Sequence, residues 1–245
     1  MLPDRGEMAV STCTRTPAEL GSTVVQQAPA LLAQLALLTL LAVTTGLGPA
    51  GWAVGVAYLL GLLVLLTQGA WRIRVYRLGP ADQVTLARAA LIGTVTALVA
   101  DRLDGHPPLT LLVPLAAVAL ALDAVDGYVA RRTGTVSALG ARFDMEADAF
   151  LILVLSVLVA TTVGLWVLAV GLLRYAFVAA ARRWPWLRAP LRPSRARKAV
   201  AALQGVALTA AAAGVAPAIL AGIAVTTLSW SFGRDVRWLY RNRAA

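Results

Sequence analysis

Long apolar runs alternate with short polar or Gly/Pro-rich segments along most of the chain. Each run is near the length of about 20 residues that a helix needs to cross a bilayer. Their boundaries predict eight helical spans, near 30–45, 52–68, 82–100, 109–132, 137–161, 164–182, 199–213 and 217–234. Between the first two, Gly46, Gly48, Pro49 and Gly51 make a turn, because glycine and proline end helices by entropy and steric clash. Residues 1–27 mix charge, Pro, Ser and Thr without sustained periodicity and read as a flexible cytoplasmic tail. A signal peptide is the competing reading of the first run; its late start and the second run close behind favour a retained hairpin over 28–70. Arg72, Arg74 and Arg77 interleave with Trp71 and Tyr76 to give an interfacial connector over 71–81. A six-helix membrane domain follows over 82–238, with Asp82 as the expected N-cap of its first helix and 239–245 as a basic tail.

Composition agrees with this layout, since 59% of the 245 residues are hydrophobic. The net charge of +10 is carried almost wholly by arginine and clusters in short segments between apolar runs. That placement suits membrane orientation and anionic headgroups rather than nucleic acid. Eight spans put both termini on one side. The loops of the other side, at 46–51, 101–108, 161–164 and 213–217, contain Arg102 as their sole positive residue. By the positive-inside rule the opposite face, with both termini, is cytoplasmic. Cys13 stands alone, which excludes an intramolecular disulfide and a cysteine metal site.

Against this apolar background the segment 123–148 is unusual, reading D-x2-D-G-x2-A-R-x8-G-x3-D-x3-D. A carboxylate in a span is costly, roughly 2.5–3.5 kcal/mol by insertion scales, unless it pairs, neutralises or holds a cation. Helical spacing puts Asp123 and Asp126 on one face, and Asp144 and Asp148 on one face of the next helix. The short connection makes these helices an antiparallel pair, so the four carboxylates can meet near the cytoplasmic boundary. An oxygen-only set without His or Cys favours Mg2+, Mn2+ or Ca2+ over zinc. Two such ions would form a receptor for a diphosphate. Gly127 and Gly140 allow close approach of a ligand, or of a neighbouring backbone, which is the competing reading. Arg131 can hold phosphate bidentately or snorkel to the interface.

The segment resembles the signature of the CDP-alcohol phosphatidyltransferases, integral membrane enzymes of phospholipid synthesis. Its fixed positions are all present, as Asp123, Asp126, Gly127, Ala130, Arg131, Gly140, Asp144 and Asp148. The resemblance implies an all-α membrane fold with a six-helix core, to which two N-terminal transmembrane helices are added. It implies that Asp123, Asp126 and Asp144 ligand Mg2+ or Mn2+, two ions in all, with Asp148 as metal neighbour and general base. Asp123, Gly127, Ala130, Arg131 and Gly140 would shape the CDP site. The run DQVTLAR is similar to the family's Pro-Asn-x-x-Thr-x-x-Arg opening: Thr85, assigned to the nucleotide, and Arg88 match, whereas Ala81 and Asp82 replace Pro and Asn. The implied reaction moves a phosphatidyl group from a CDP-linked lipid, CDP-diacylglycerol above all, to a hydroxyl acceptor and releases CMP. A homodimer is the family expectation.

Arg174, inside a span, and Arg195, Arg197 and Lys198, before and at the start of the seventh, are candidates for the phosphate of an acceptor. Docking on lipid headgroups is their competing role. Two other functions fit Asp-rich membrane helices: a Mg-dependent polyprenyl transferase and an ion-coupled transporter. The first would use separated Asp-rich motifs in distant helices, and the second a midplane site with broken helices; neither pattern is present.

Overall fold

The computed structural model describes residues 17–73, 80–101, 108–133, 138–191 and 194–243. They form eight α-helices: α1 (Pro17–Thr45), α2 (Pro49–Ile73), α3 (Pro80–Asp101), α4 (Leu109–Thr133), α5 (Ala138–Val163), α6 (Leu168–Arg183), α7 (Arg195–Ala212) and α8 (Pro217–Arg241). Short 3-10 turns at Leu165–Val167 and Pro185–Arg188 flank α6, and no strand occurs among the described residues.

All eight expected helices are present, with shifted ends. α1 starts at Pro17 rather than near Ala30, taking in residues 17–27 of the segment read as a tail. Proline is preorganised for the first helical turn, and the residues after it include ordinary helix formers. α3 starts at Pro80, so Asp82 lies inside the first turn instead of capping it. α8 continues to Arg241, beyond the expected Arg234, because its last turns still have something to bury: Leu239 is buried and Tyr240 packs edge-on against Trp186 at 5.8 Å. The interfacial connector falls largely at 74–79, outside the described residues.

Five segments are apolar and long enough to cross a bilayer: Ala28–Thr45, Pro49–Gln68, Asp82–Asp101, Gly140–Val163 and Leu165–Arg183. The apolar part of α4 is shorter and stops at Asp123, where the carboxylates begin. α7 opens with three basic residues.

α3 and α5 are the interior helices. α3 packs against α1, α2, α4 and α5, while α5 also meets α6, α7 and α8. The spanning window of α3 is 72% buried against 17% for that of α6, which leaves α6 to face lipid. Polar groups in this setting need partners within the bundle. Thr39, Thr67, Thr94 and Thr96 return their hydroxyls to carbonyls four residues back. Two buried glutamines work between helices instead. Gln34 Nε2 donates to Gly55 O across α1–α2, and Gln204 Nε2 to Ala224 O across α7–α8, each at 3.2 Å. Such interhelical bonds contribute about 0.6–2 kcal/mol.

Close helix contacts depend on small residues. Gly171 of α6 meets α5 so tightly that a Cβ there would lie 2.6 Å from Leu153 Cα and 2.6 Å from Ser156 Oγ. Because the obstacle includes backbone, the helices must separate to admit a methyl group. Gly171→Ala is expected to cost about 1–3 kcal/mol, read as a lowered Tm of the purified protein in detergent. An unchanged Tm would show that the α5–α6 contact is looser than the structure has it.

Candidate metal and active site

α3 carries Asp82, Thr85 and Arg88 at three-residue spacing, which keeps them near one face, and all are buried. Arg88 has no exposed surface, although it lies about 12 Å along the helix from Pro80, at 1.5 Å per residue. A guanidinium in such a place requires acceptors. They come from two other helices. Nη1 pairs with Asp123 Oδ1 of α4, and Nη2 pairs with Asp144 Oδ1 of α5. Nη2 also donates to the Asp144 backbone carbonyl at 3.2 Å and pairs with Asp148 Oδ1 at 3.2 Å.

Arg88 therefore draws together the three carboxylates, of the four singled out by spacing, whose side chains are among the described residues. Oxygens of Asp123, Asp144 and Asp148 lie within 4.8 Å of one another, the one such acidic group among the described residues. The cluster sits about 9 Å along α5 from Ala138, near the depth that the expected helix start at 137 implies. Its carboxylates remain one-third to two-fifths exposed, so a solute can reach them.

The donor set fits a hard divalent cation. Bonds of about 2.1–2.5 Å let one ion link oxygens roughly 4–5 Å apart. Among the described residues the group sets three carboxylates around one guanidinium, a donor set rich in hard anionic oxygen. Asp126, Ala130 and Arg131 lie on α4, but their side chains are outside the described residues; Gly127 and Gly140 are half-buried on α4 and α5. Thr85 is buried one turn before Arg88.

The four basic candidates divide. Arg174 Nη2 pairs with Glu146 at 2.6 Å. Glu146 is two residues from both Asp144 and Asp148, hence on the roughly opposite face of α5, and Arg174 is not brought to the cluster. Arg195, Arg197 and Lys198 lie in the first turn of α7, which packs against both α4 and α5. The facing positions of Gly205 and Leu120 register α7 against α4. Counting back about 10 Å along antiparallel α7 sets Lys198 level with Gly127. Arg197 shares Asp235 with Arg234, at 3.2 and 3.3 Å, while Arg195 and Lys198 make no ion pair with a described residue.

The motif spacing assigns Arg88 no site role, though the sequence carries a signal for one. An arginine inside an apolar helix marks a functional site by default, and Arg88 satisfies that rule more fully than Arg174.

Fold and site together define an integral membrane protein with a cation-ready acidic cluster between adjoining helices. The chain belongs to the CDP-alcohol phosphatidyltransferase family, whose model matches residues 78–231, more than half of its length. No curated protein and no solved structure gives a match. Membership establishes a phosphotransferase class acting on CDP-alcohols in phospholipid synthesis, and a family that uses divalent metals. It sets aside the polyprenyl transferase and transporter readings.

Removing Arg88 strands its carboxylates. Arg88→Gln is expected to destabilise the protein by roughly 3 kcal/mol, the low end for a broken buried pair because the carboxylates are partly exposed. Mn2+ should restore more Tm to this variant than it adds to wild type. Equal stability of variant and wild type in EDTA would refute Arg88 as the main counter-charge.

Proposed function

We propose that the protein transfers a phosphatidyl group from CDP-diacylglycerol to a small hydroxyl acceptor, releasing CMP at the cytoplasmic face. The observation that supports this most is the convergence of Asp123, Asp144 and Asp148 on Arg88 within the matched family segment. Asp123, Asp126, Asp144 and Asp148 would hold two divalent ions, Mg2+ or Mn2+. Bound there, the metals would supply charge neutralisation for the diphosphate. Asp123, Gly127, Ala130, Arg131, Gly140 and Thr85 would seat the CDP moiety.

Asp148 is the general base in this reading. It stands in the cluster 3.2 Å from Arg88, with its carboxylate partly exposed to an incoming hydroxyl. Asp148 accepts the proton of the acceptor hydroxyl as that oxygen bonds to the lipid-side phosphorus. The phosphorus–oxygen bond to CMP then breaks, and CMP leaves with the electron pair. Arg195, Arg197 and Lys198, at the cluster's end of α7, would attract a phosphorylated acceptor. The ion pair of Arg174 with Glu146 makes it the weakest member of that set.

Purified protein given CDP-diacylglycerol, Mn2+ and a panel of acceptors should release CMP with at least one of them. Silence across the panel, with soluble CDP-alcohols added as donors, would refute the donor assignment. Asp148→Asn should lower turnover by at least about a hundredfold, as expected for loss of a general base. Substantial retained turnover would remove Asp148 from that role. For a phosphorylated acceptor, Arg195→Gln should raise the acceptor KM several-fold with little change in kcat, and an unchanged KM would place that residue outside the acceptor site.

A further inference from the structure

The family match starts at residue 78, so α1 and α2 lie outside it. They nevertheless grip α3 along its whole length. At the far end from the carboxylates, Gly51 N of α2 donates to Asp101 Oδ1 at 3.3 Å. At mid-height Gly93 of α3 makes room for both hairpin helices: a Cβ there would stand 2.3 Å from Gln34 Nε2 and 2.5 Å from Tyr58 Cδ1. At the carboxylate end Leu62 and Leu66 of α2 bury themselves with Leu86 and Ala89, which bracket Arg88, and with Phe143, which precedes Asp144.

Tyr58 is the hairpin residue whose ring reaches both α3 and α5 at mid-height. Its ring sits against Gly93 on α3 and lies 5.4 Å from the ring of Phe150 on α5. Phe150 follows Asp148 by two residues. Tyr58 thus braces the two helices whose separation sets the distances from Arg88 to Asp144 and Asp148. Leu38 provides the contrast. It is fully buried on α1 and packs against Gly55 of α2, where Ala97 of α3 also comes close.

We propose that the N-terminal hairpin is a positioning element of the metal site, with Tyr58 holding α3 and α5 at the spacing that lets Arg88 and the carboxylates share one cluster. This rests on the metal reading above. Groups that orient a metal's ligands without touching the ion change affinity by about ten- to a hundredfold when lost. Through a packing contact the low end is expected.

The test is Mn2+ titration of the full-length protein in detergent, followed by electron paramagnetic resonance, with Tm measured alongside. Tyr58→Ala should weaken Mn2+ binding about tenfold, Tyr58→Phe should bind as wild type does, and Leu38→Ala should lose Tm while keeping its Mn2+ affinity. Wild-type affinity in Tyr58→Ala would overturn the proposal. So would a loss in Leu38→Ala equal to that in Tyr58→Ala, which would mark a general effect of destabilisation, or a loss in Tyr58→Phe, which would move the effect from ring packing to the hydroxyl. Failure of wild type itself to bind Mn2+ would overturn the metal reading and this proposal together. If wild type binds and the Asp123→Asn variant does not, the metal reading stands whatever Tyr58 does.

Discussion

A guanidinium buried in an apolar bundle must be surrounded by acceptors, and this requirement organises the molecule. Arg88 cannot reach water from its place on α3, and its ion pairs come from α4 and α5 together. The same contacts that satisfy the arginine hold three carboxylates closer than they would otherwise stand. One interaction therefore fixes the relative placement of three helices and concentrates negative charge at a single point. The clustered oxygens are what a divalent cation would bind.

The rest of the bundle keeps this cluster in place by ordinary means. Small residues let α5 and α6 approach, glutamines tie the first and last hairpins, and threonine hydroxyls bond to their own helices. Polar pairs away from the cluster are separately satisfied. Glu146 takes Arg174, and Asp235 takes Arg197 and Arg234, which keeps those arginines from competing with Arg88 for the site's carboxylates. The hairpin α1–α2 adds packing directly behind Arg88, where a shift of α3 would open the ion pairs.

Much of this was legible in the residues. Apolar runs located the eight helices, since burial and lipid exposure both require apolar side chains over a membrane's width. The helix ends were not legible to the same degree, because α8 is prolonged where Leu239 is buried and Tyr240 packs on Trp186, distant in sequence. The carboxylates could be paired within each helix by spacing alone. Arg88 was visible as part of a motif, yet its partners lie 35 and 56 residues away, beyond any local periodicity.

The sequence by itself determined an all-helical membrane protein, the acidic signature from Asp123 to Asp148 and the family to which it points. Those depend on composition and short-range spacing, which the helix converts directly into geometry. Only the tertiary structure decided that Arg88 is the centre on which Asp123, Asp144 and Asp148 meet, that Arg174 turns to Glu146, and that Tyr58 reaches both α3 and α5. Each of those depends on how helices rotate and slide against one another, and that is set by packing and charge satisfaction over the whole bundle.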